Sequence, residues 1–117
     1  GLTTTSSVNQ ALSWADGVMI GRAAYENPRW IHELNGNLFR KVEVPFDPLK
    51  LVDEYMPYMQ SQLNIDTPLK HMTRHLLNLF NGQPGAKSYR RKLTDQSRLA
   101  TAGLETLRNA LREITAF

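Results

Sequence analysis

Three dipeptides constrain this chain more than any other feature: Asn27-Pro28, Asp47-Pro48 and Thr67-Pro68. Each places a capping residue before a proline at a first helical position, where the missing N–H has no intrahelical partner to lose. Each pair therefore starts a helix and ends what precedes it. Trp30, Ile31 and Leu34 follow the first start, and Asn35-Gly36-Asn37 forms a stop that tolerates left-handed backbone. After the second, Leu49, Val52, Tyr55, Met56, Met59 and Leu63 keep a helical period. Pro57 lies inside this run and predicts a kink near Asp53-Glu54, because an interior proline costs about 3 kcal/mol. After the third, Leu69, Met72, Leu76, Leu79 and Phe80 share a helical arc of about 100°. Lys70, His71, Arg74, His75 and Asn78 lie opposite, and Asn81-Gly82 supplies the stop.

Two further helices complete the second half. Pro84-Gly85 opens one over Ala86 to Leu93, and Leu104, Leu107, Leu111 and Ile114 form the stripe of the last. Four helices with one apolar face each and short connections predict a small antiparallel bundle, and a mainly α fold. The front of the chain reads differently. A helix capped by Ser6 or Ser7 turns Val8, Ala11, Leu12 and Trp14 toward a partner surface. The short apolar run Val18-Met19-Ile20, bounded by Gly17 and Gly21, follows as a buried strand, which is one step of a parallel β/α protein. From Phe39 to Pro45 no usable period exists; Val42 and Val44 alternate with charges, but the nearby prolines favour a linker.

Composition narrows the function classes. At 117 residues the chain suffices for one main domain. The 14 basic against 11 acidic residues leave a surplus of +3, too small to identify a nucleic-acid binder without regard to where the charges lie. With no cysteine there is neither a disulfide framework nor a thiolate metal site. Neither a signal-peptide pattern nor an apolar run of about 20 residues is present, so a cytoplasmic protein without a membrane partner is expected.

Three sets of residues could carry chemistry. Gly21-Arg22 ends the strand and opens the helical turn Ala23-Ala24-Tyr25-Glu26, the arrangement in which backbone N–H groups hold a phosphate; an ordinary turn with a surface arginine is the alternative. His71 and His75 have the spacing of a zinc pair, but no Glu follows His71 and no third ligand is evident, so no metal is expected. Lys87, Arg90, Arg91 and Lys92 fall within a turn and a half of helix. Such a cluster is either a solvated face or a phosphate-backbone patch, and Lys70 and Arg74 are close enough in the chain to join it. Tyr89, inside the run, either stacks on a base or belongs to the core.

Two strings are specific enough to suggest a family: GVMIGRAAYENP with the apolar turn Trp30-Ile31, and HMTRHLLNLFNGQPGAKSYRRKL downstream. Together they resemble the flavin-dependent tRNA-dihydrouridine synthases, and within them the A-type enzymes. The resemblance implies that residues 1–38 are the end of a TIM-type barrel, including its last β/α unit, with 39–46 a linker and 47–117 a helical tRNA-binding domain. Family members are roughly three times this length, with the rest of the barrel upstream. Gly1 would end the turn after the seventh strand, and Gly21 and Arg22 the turn after the eighth, all three holding the phosphate of FMN. In the family, FMN reduced by NADPH delivers hydride to a flipped-out uracil and a cysteine protonates it. Because this chain has no cysteine, no catalytic residue falls within it, and alone it should be inactive. Lys87 and Arg90, supported by Arg91, Lys70 and Arg74, would hold the tRNA backbone. The uncovered residues Trp14, Val18, Met19 and Ile20 would favour self-association. The rival readings are a non-catalytic helical RNA- or protein-binding module and a different flavin- or sugar-phosphate-binding barrel.

Overall fold

The computed structural model describes residues 1–40 and 44–114, which form two compact units, Gly1–Phe46 and Asp47–Phe117. Seven α-helices and no strand occur among the described residues.

The first unit contains α1 (Thr5–Leu12), α2 (Arg22–Glu26) and α3 (Pro28–Asn35). The cap of α1 is Thr4 rather than Ser6 or Ser7: its hydroxyl accepts from the Ser7 N–H, and the Ser7 hydroxyl in turn accepts from the Thr4 N–H. With α1 ending at Leu12, Trp14 lies beyond it and is 79% exposed. Val8, Trp30 and Leu34 form the buried centre, with Val18 and Ile20 packed against it. The indole N–H of Trp30 donates to the Thr5 hydroxyl at 3.1 Å, which ties α3 to α1. Residues 18–20 do not form the predicted strand. A strand needs a neighbour to complete its ladder, and none is among the described residues. The period of two nevertheless survives in burial, since Val18 and Ile20 are half-buried while Met19 is 83% exposed.

The helix stop at Asn35-Gly36-Asn37 also differs. Gly36 is right-handed, with φ −61° and ψ −45°, and the chain continues as a π turn over Gly36–Arg40. Residues 41–43 of the expected linker lie outside the described residues. At its far end, the His32 Nε2–H donates to the Val44 carbonyl, and Arg29 sits 5.0 Å above the Phe46 ring, so 44–46 are held against α3.

The second unit holds α4 (Pro48–Leu63), α5 (Lys70–Thr73), α6 (Ala86–Ser97) and α7 (Leu104–Leu111). Asp47 caps α4 by accepting from the Lys50 N–H at 3.1 Å. The helix runs unbroken through Pro57, which is exposed, so the carbonyl deprived of its bond can face water. The expected long helix after Thr67-Pro68 is a single α turn followed by turns with shorter bonds, such as Leu76 N–H to Thr73 O at 2.9 Å. The apolar spacing explains this tightening. Leu69 and Met72, like Leu76 and Leu79, are three apart, and a three-residue turn stacks such pairs on one side. All four are buried together with Phe80. Helix α6 packs on α7 and on α5, and α4 packs on α7.

Two glycines shape the connection from this segment into α6. Gly82 and Gly85 both have positive φ, 88° and 89°. Gly82 has open space around it, whereas a Cβ on Gly85 would land on the Glu113 carbonyl, so the backbone at the start of α6 closely approaches the backbone that follows α7. Gly85→Ala should destabilise the protein by about 2–5 kcal/mol, from left-handed strain plus the forced shift of residues 113–114. Gly82→Ala should cost only the strain, about 1–2 kcal/mol. Urea denaturation followed by circular dichroism checks this, and equal costs at the two positions would refute the close approach.

Candidate functional site

Helix α6 carries the densest positive charge, and its buried side determines where that charge points. Ala86, Tyr89, Leu93 and Ser97 are buried and share one helical arc. Tyr89 is fully buried: its hydroxyl donates to the Leu76 carbonyl at 2.9 Å, and its ring meets Phe80 edge-on with centroids 4.9 Å apart. Of the two readings of Tyr89, the core one holds, and no base can stack on it.

With Tyr89 inward, Lys87 and Arg91 are exposed and Arg90 is half-buried. Arg90 donates to the Asn81 side-chain carbonyl, and Lys87, Arg90 and Asn81 line an open hollow of about 620 Å³ with Gly82, Gln83 and Pro84. Lys92 departs from the group, since it pairs with Glu113 at 3.4 Å.

Lys70 and Arg74 precede this connection, and the hydrogen bonds show how their segment lies. Asn81 meets Arg90, Leu76 meets Tyr89, and the Thr73 hydroxyl donates to the Ser97 hydroxyl at 2.9 Å. Residues 73–81 thus run back along α6, and Lys70 lies by its C-terminal end. There, Lys70, Asp66, Thr67, Ser97, Arg98 and Leu99 line a cleft of about 370 Å³. The structure joins Lys87 with Arg90 at one end and places Lys70 with Arg98 at the other. Arg98 was not among the residues singled out from the sequence. Ending the helix at Leu93 concealed it, because only a helix continued to Ser97 puts residue 98 on the face of Lys87 and Arg91.

In the first unit, Gly21 precedes the five-residue α2 and accepts the Ala24 N–H through its carbonyl. A Cβ on Gly21 would approach only the Met19 sulfur at 4.0 Å, and one on Gly1 would meet nothing within 4 Å. Arg22 is exposed. Open glycine backbone and an exposed guanidinium thus stand together at the start of α2. His71 and His75 are both exposed, and no group of three His, Cys, Asp or Glu side chains that could hold a metal occurs among the described residues. No helix among them is long and apolar enough to cross a membrane.

Comparison with known proteins gives a consistent result. Residues 1–115 match the family model described as Dihydrouridine synthase (Dus). The chain is 42% identical over 112 residues to a protein of Synechocystis sp. named tRNA-dihydrouridine(20/20a) synthase, covering 96% of this chain and 34% of that one. Proteins of the same name from Xanthomonas axonopodis pv. citri and Escherichia coli K12 are 45% identical over 100 residues and 36% over 112. They are covered over 29% and 32% of their length, and 86% and 96% of this chain is aligned. The chain thus spans about a third of the length of the curated relatives it matches.

The Tyr89 hydroxyl offers a test of how α6 is seated. Tyr89→Phe removes the shorter of two bonds to the Leu76 carbonyl, which then keeps only the Leu79 N–H at 3.4 Å, and should cost about 1–2 kcal/mol near neutral pH. Burial holds the Tyr89 phenol well above its ordinary value of 10.0, because phenolate is disfavoured in the core. The unfolded chain therefore releases this proton first as pH rises. The stabilisation is complete below pH 10 and declines above it, so the gap between wild type and Tyr89→Phe should narrow in alkaline solution. Urea midpoints at pH 7 and pH 11 measure the change, and a constant gap would contradict the buried phenol.

Proposed function

The chain belongs to the dihydrouridine synthase family, and from that premise we propose that it is the C-terminal part of a flavin-dependent enzyme that reduces uridines 20 and 20a of tRNA to dihydrouridine. The observation that carries this reading is the alignment of almost the whole chain, without rearrangement, to relatives of that name. In this reading residues 1–38 are the end of the flavin-binding barrel, 39–46 a linker, and 47–117 the tRNA-docking domain. The division into compact units between Phe46 and Asp47 supports it. A cytoplasmic location follows from a tRNA substrate.

Gly1, Gly21 and Arg22 fit the phosphate of FMN, because the glycine backbone is open and the guanidinium is exposed beside a helix start. When bound, FMN reduced by NADPH supplies the hydride. What this chain contributes is position: neutralising and orienting the phosphate end of the cofactor, and holding the tRNA while its uridine is unstacked. The proton donor lies elsewhere, since none of the 117 residues is a cysteine. Of the four residues expected to drive self-association, Val18 and Ile20 pack against the core of the first unit, so in this reading any such contact falls to the exposed Trp14 and Met19.

The tRNA surface comprises Lys87, Arg90 and Arg91, with Lys70 and Arg74 contributing from the neighbouring segment. Lys87→Ala/Arg90→Ala should weaken tRNA binding and lower the slope of log affinity against log salt by about 1.5–2, because two fewer counterions are released. Helicity should not change, as solvated surface charges contribute little to stability. Fluorescence anisotropy across a salt series checks this against an unstructured RNA of equal length, and folded tRNA should lose more. Parent-like tRNA binding at every salt concentration would refute the assignment.

A further inference from the structure

The cations of α6 extend beyond the hollow. At 100° per residue, Lys87, Arg90, Arg91, Thr94 and Arg98 share an arc of about 100°, next to the buried arc that contains Tyr89 and Leu93. All but Arg90 are exposed, and Arg90 is half-buried. From Lys87 to Arg98 the helix and its cap rise about 16 Å, at 1.5 Å per residue. That distance is long enough to lie against several consecutive phosphates of one strand. At the far end, Lys70 comes alongside Arg98 from the returning segment, and both line the 370 Å³ cleft.

We propose that a bound RNA strand follows α6 over its whole length, from the Asn81–Arg90 hollow to the Lys70–Arg98 cleft, with Arg98 and Thr94 as further phosphate contacts that link Lys87, Arg90 and Arg91 to Lys70. The proposal rests on the tRNA-docking reading above and adds the direction and extent of the contact. A surface that tracks a nucleic-acid backbone presents cations at intervals along one line, and hydroxyls can add phosphate contacts; the α6 stripe has four cations and the Thr94 hydroxyl. Contacts of this kind are sequence-tolerant, because cations that meet phosphates position a strand without reading its bases.

Two carboxylates oppose the contact at the far end. Asp95 pairs with Arg98 at 3.9 Å with both side chains more than half exposed, and Asp66 lines the cleft itself. An ion pair this long and this exposed is weak, so a phosphate can take its place. Asp95 competes with RNA for Arg98, which gives an expectation of opposite sign.

The test is fluorescence anisotropy of the full chain with bulk tRNA over a salt series. Lys70→Gln/Arg98→Gln should lower the salt slope by about 1.5–2. Asp95→Asn should tighten binding about twofold or more, by removing the competing pair. Both should keep the parent's circular dichroism; if the double variant loses helicity, Arg98→Gln alone replaces it, since its ion pair is exposed. If Lys70→Gln/Arg98→Gln binds like the parent while Lys87→Gln/Arg90→Gln is weakened, the strand stops at the hollow; this proposal is then wrong although tRNA docking stands. If neither pair of substitutions weakens binding, both readings fail. Binding of poly-glutamate but not tRNA, with the same dependence on Arg98, would assign the stripe to an acidic protein partner and overturn the proposal.

Discussion

The hydrogen bond from Tyr89 to the Leu76 carbonyl determines what the second unit presents to its surroundings. It joins positions 13 residues apart, with Phe80 packed edge-on against the same ring. A buried phenol must find an acceptor, and here it is a backbone carbonyl shared with the Leu79 N–H, whose own bond to it is long at 3.4 Å. Satisfying both groups at once orients α6 about its own axis. Once Tyr89 points inward, Lys87, Arg91 and Arg98 have no alternative but to face solvent, and Lys92 is turned aside toward Glu113.

The glycine connection makes that seating possible. Gly82 and Gly85 reverse the chain with left-handed backbone, and Gly85 lets the Glu113 carbonyl approach where any side chain would intrude. The start of α6 and the end of the unit are therefore in van der Waals contact, with the Thr73–Ser97 hydroxyl pair completing the polar bonding at the other end of the helix. Among the described residues no buried side-chain nitrogen or oxygen lacks a partner. Such a core can support a strongly charged face without conformational freedom in the helix that carries it.

The charged face works by a simple balance. Like charges on one helix face repel, and the unit tolerates them because solvent screens them and Arg90 rests on Asn81. A polyanion converts that repulsion into a gain through counterion release, which is why so modest a net charge can serve a nucleic-acid surface when its distribution is uneven. The phosphate site proposed at Gly21-Arg22 would follow different physics, resting on open glycine backbone beside a helix start more than on charge density.

Much of this was legible in the sequence because it is local. Helix starts at Pro28 and Pro48 follow from proline chemistry, and the buried set Leu69, Met72, Leu76, Leu79 and Phe80 follows from spacing. The same local reasoning erred where a neighbour decides the outcome. Val18-Met19-Ile20 keeps a strand's alternation but forms no ladder, because a strand is completed by another segment's hydrogen bonds. The Thr67-Pro68 segment has a helical pattern but tightens after one turn so that its leucines stack against the core. The sequence by itself determined which side chains are apolar enough to be buried and where helices can begin, since those preferences act within a few residues. Only the tertiary structure decided that Tyr89 is core, that α6 extends to Ser97, and that Lys70 meets Arg98 instead of Lys87, because each depends on contacts between residues far apart in the chain.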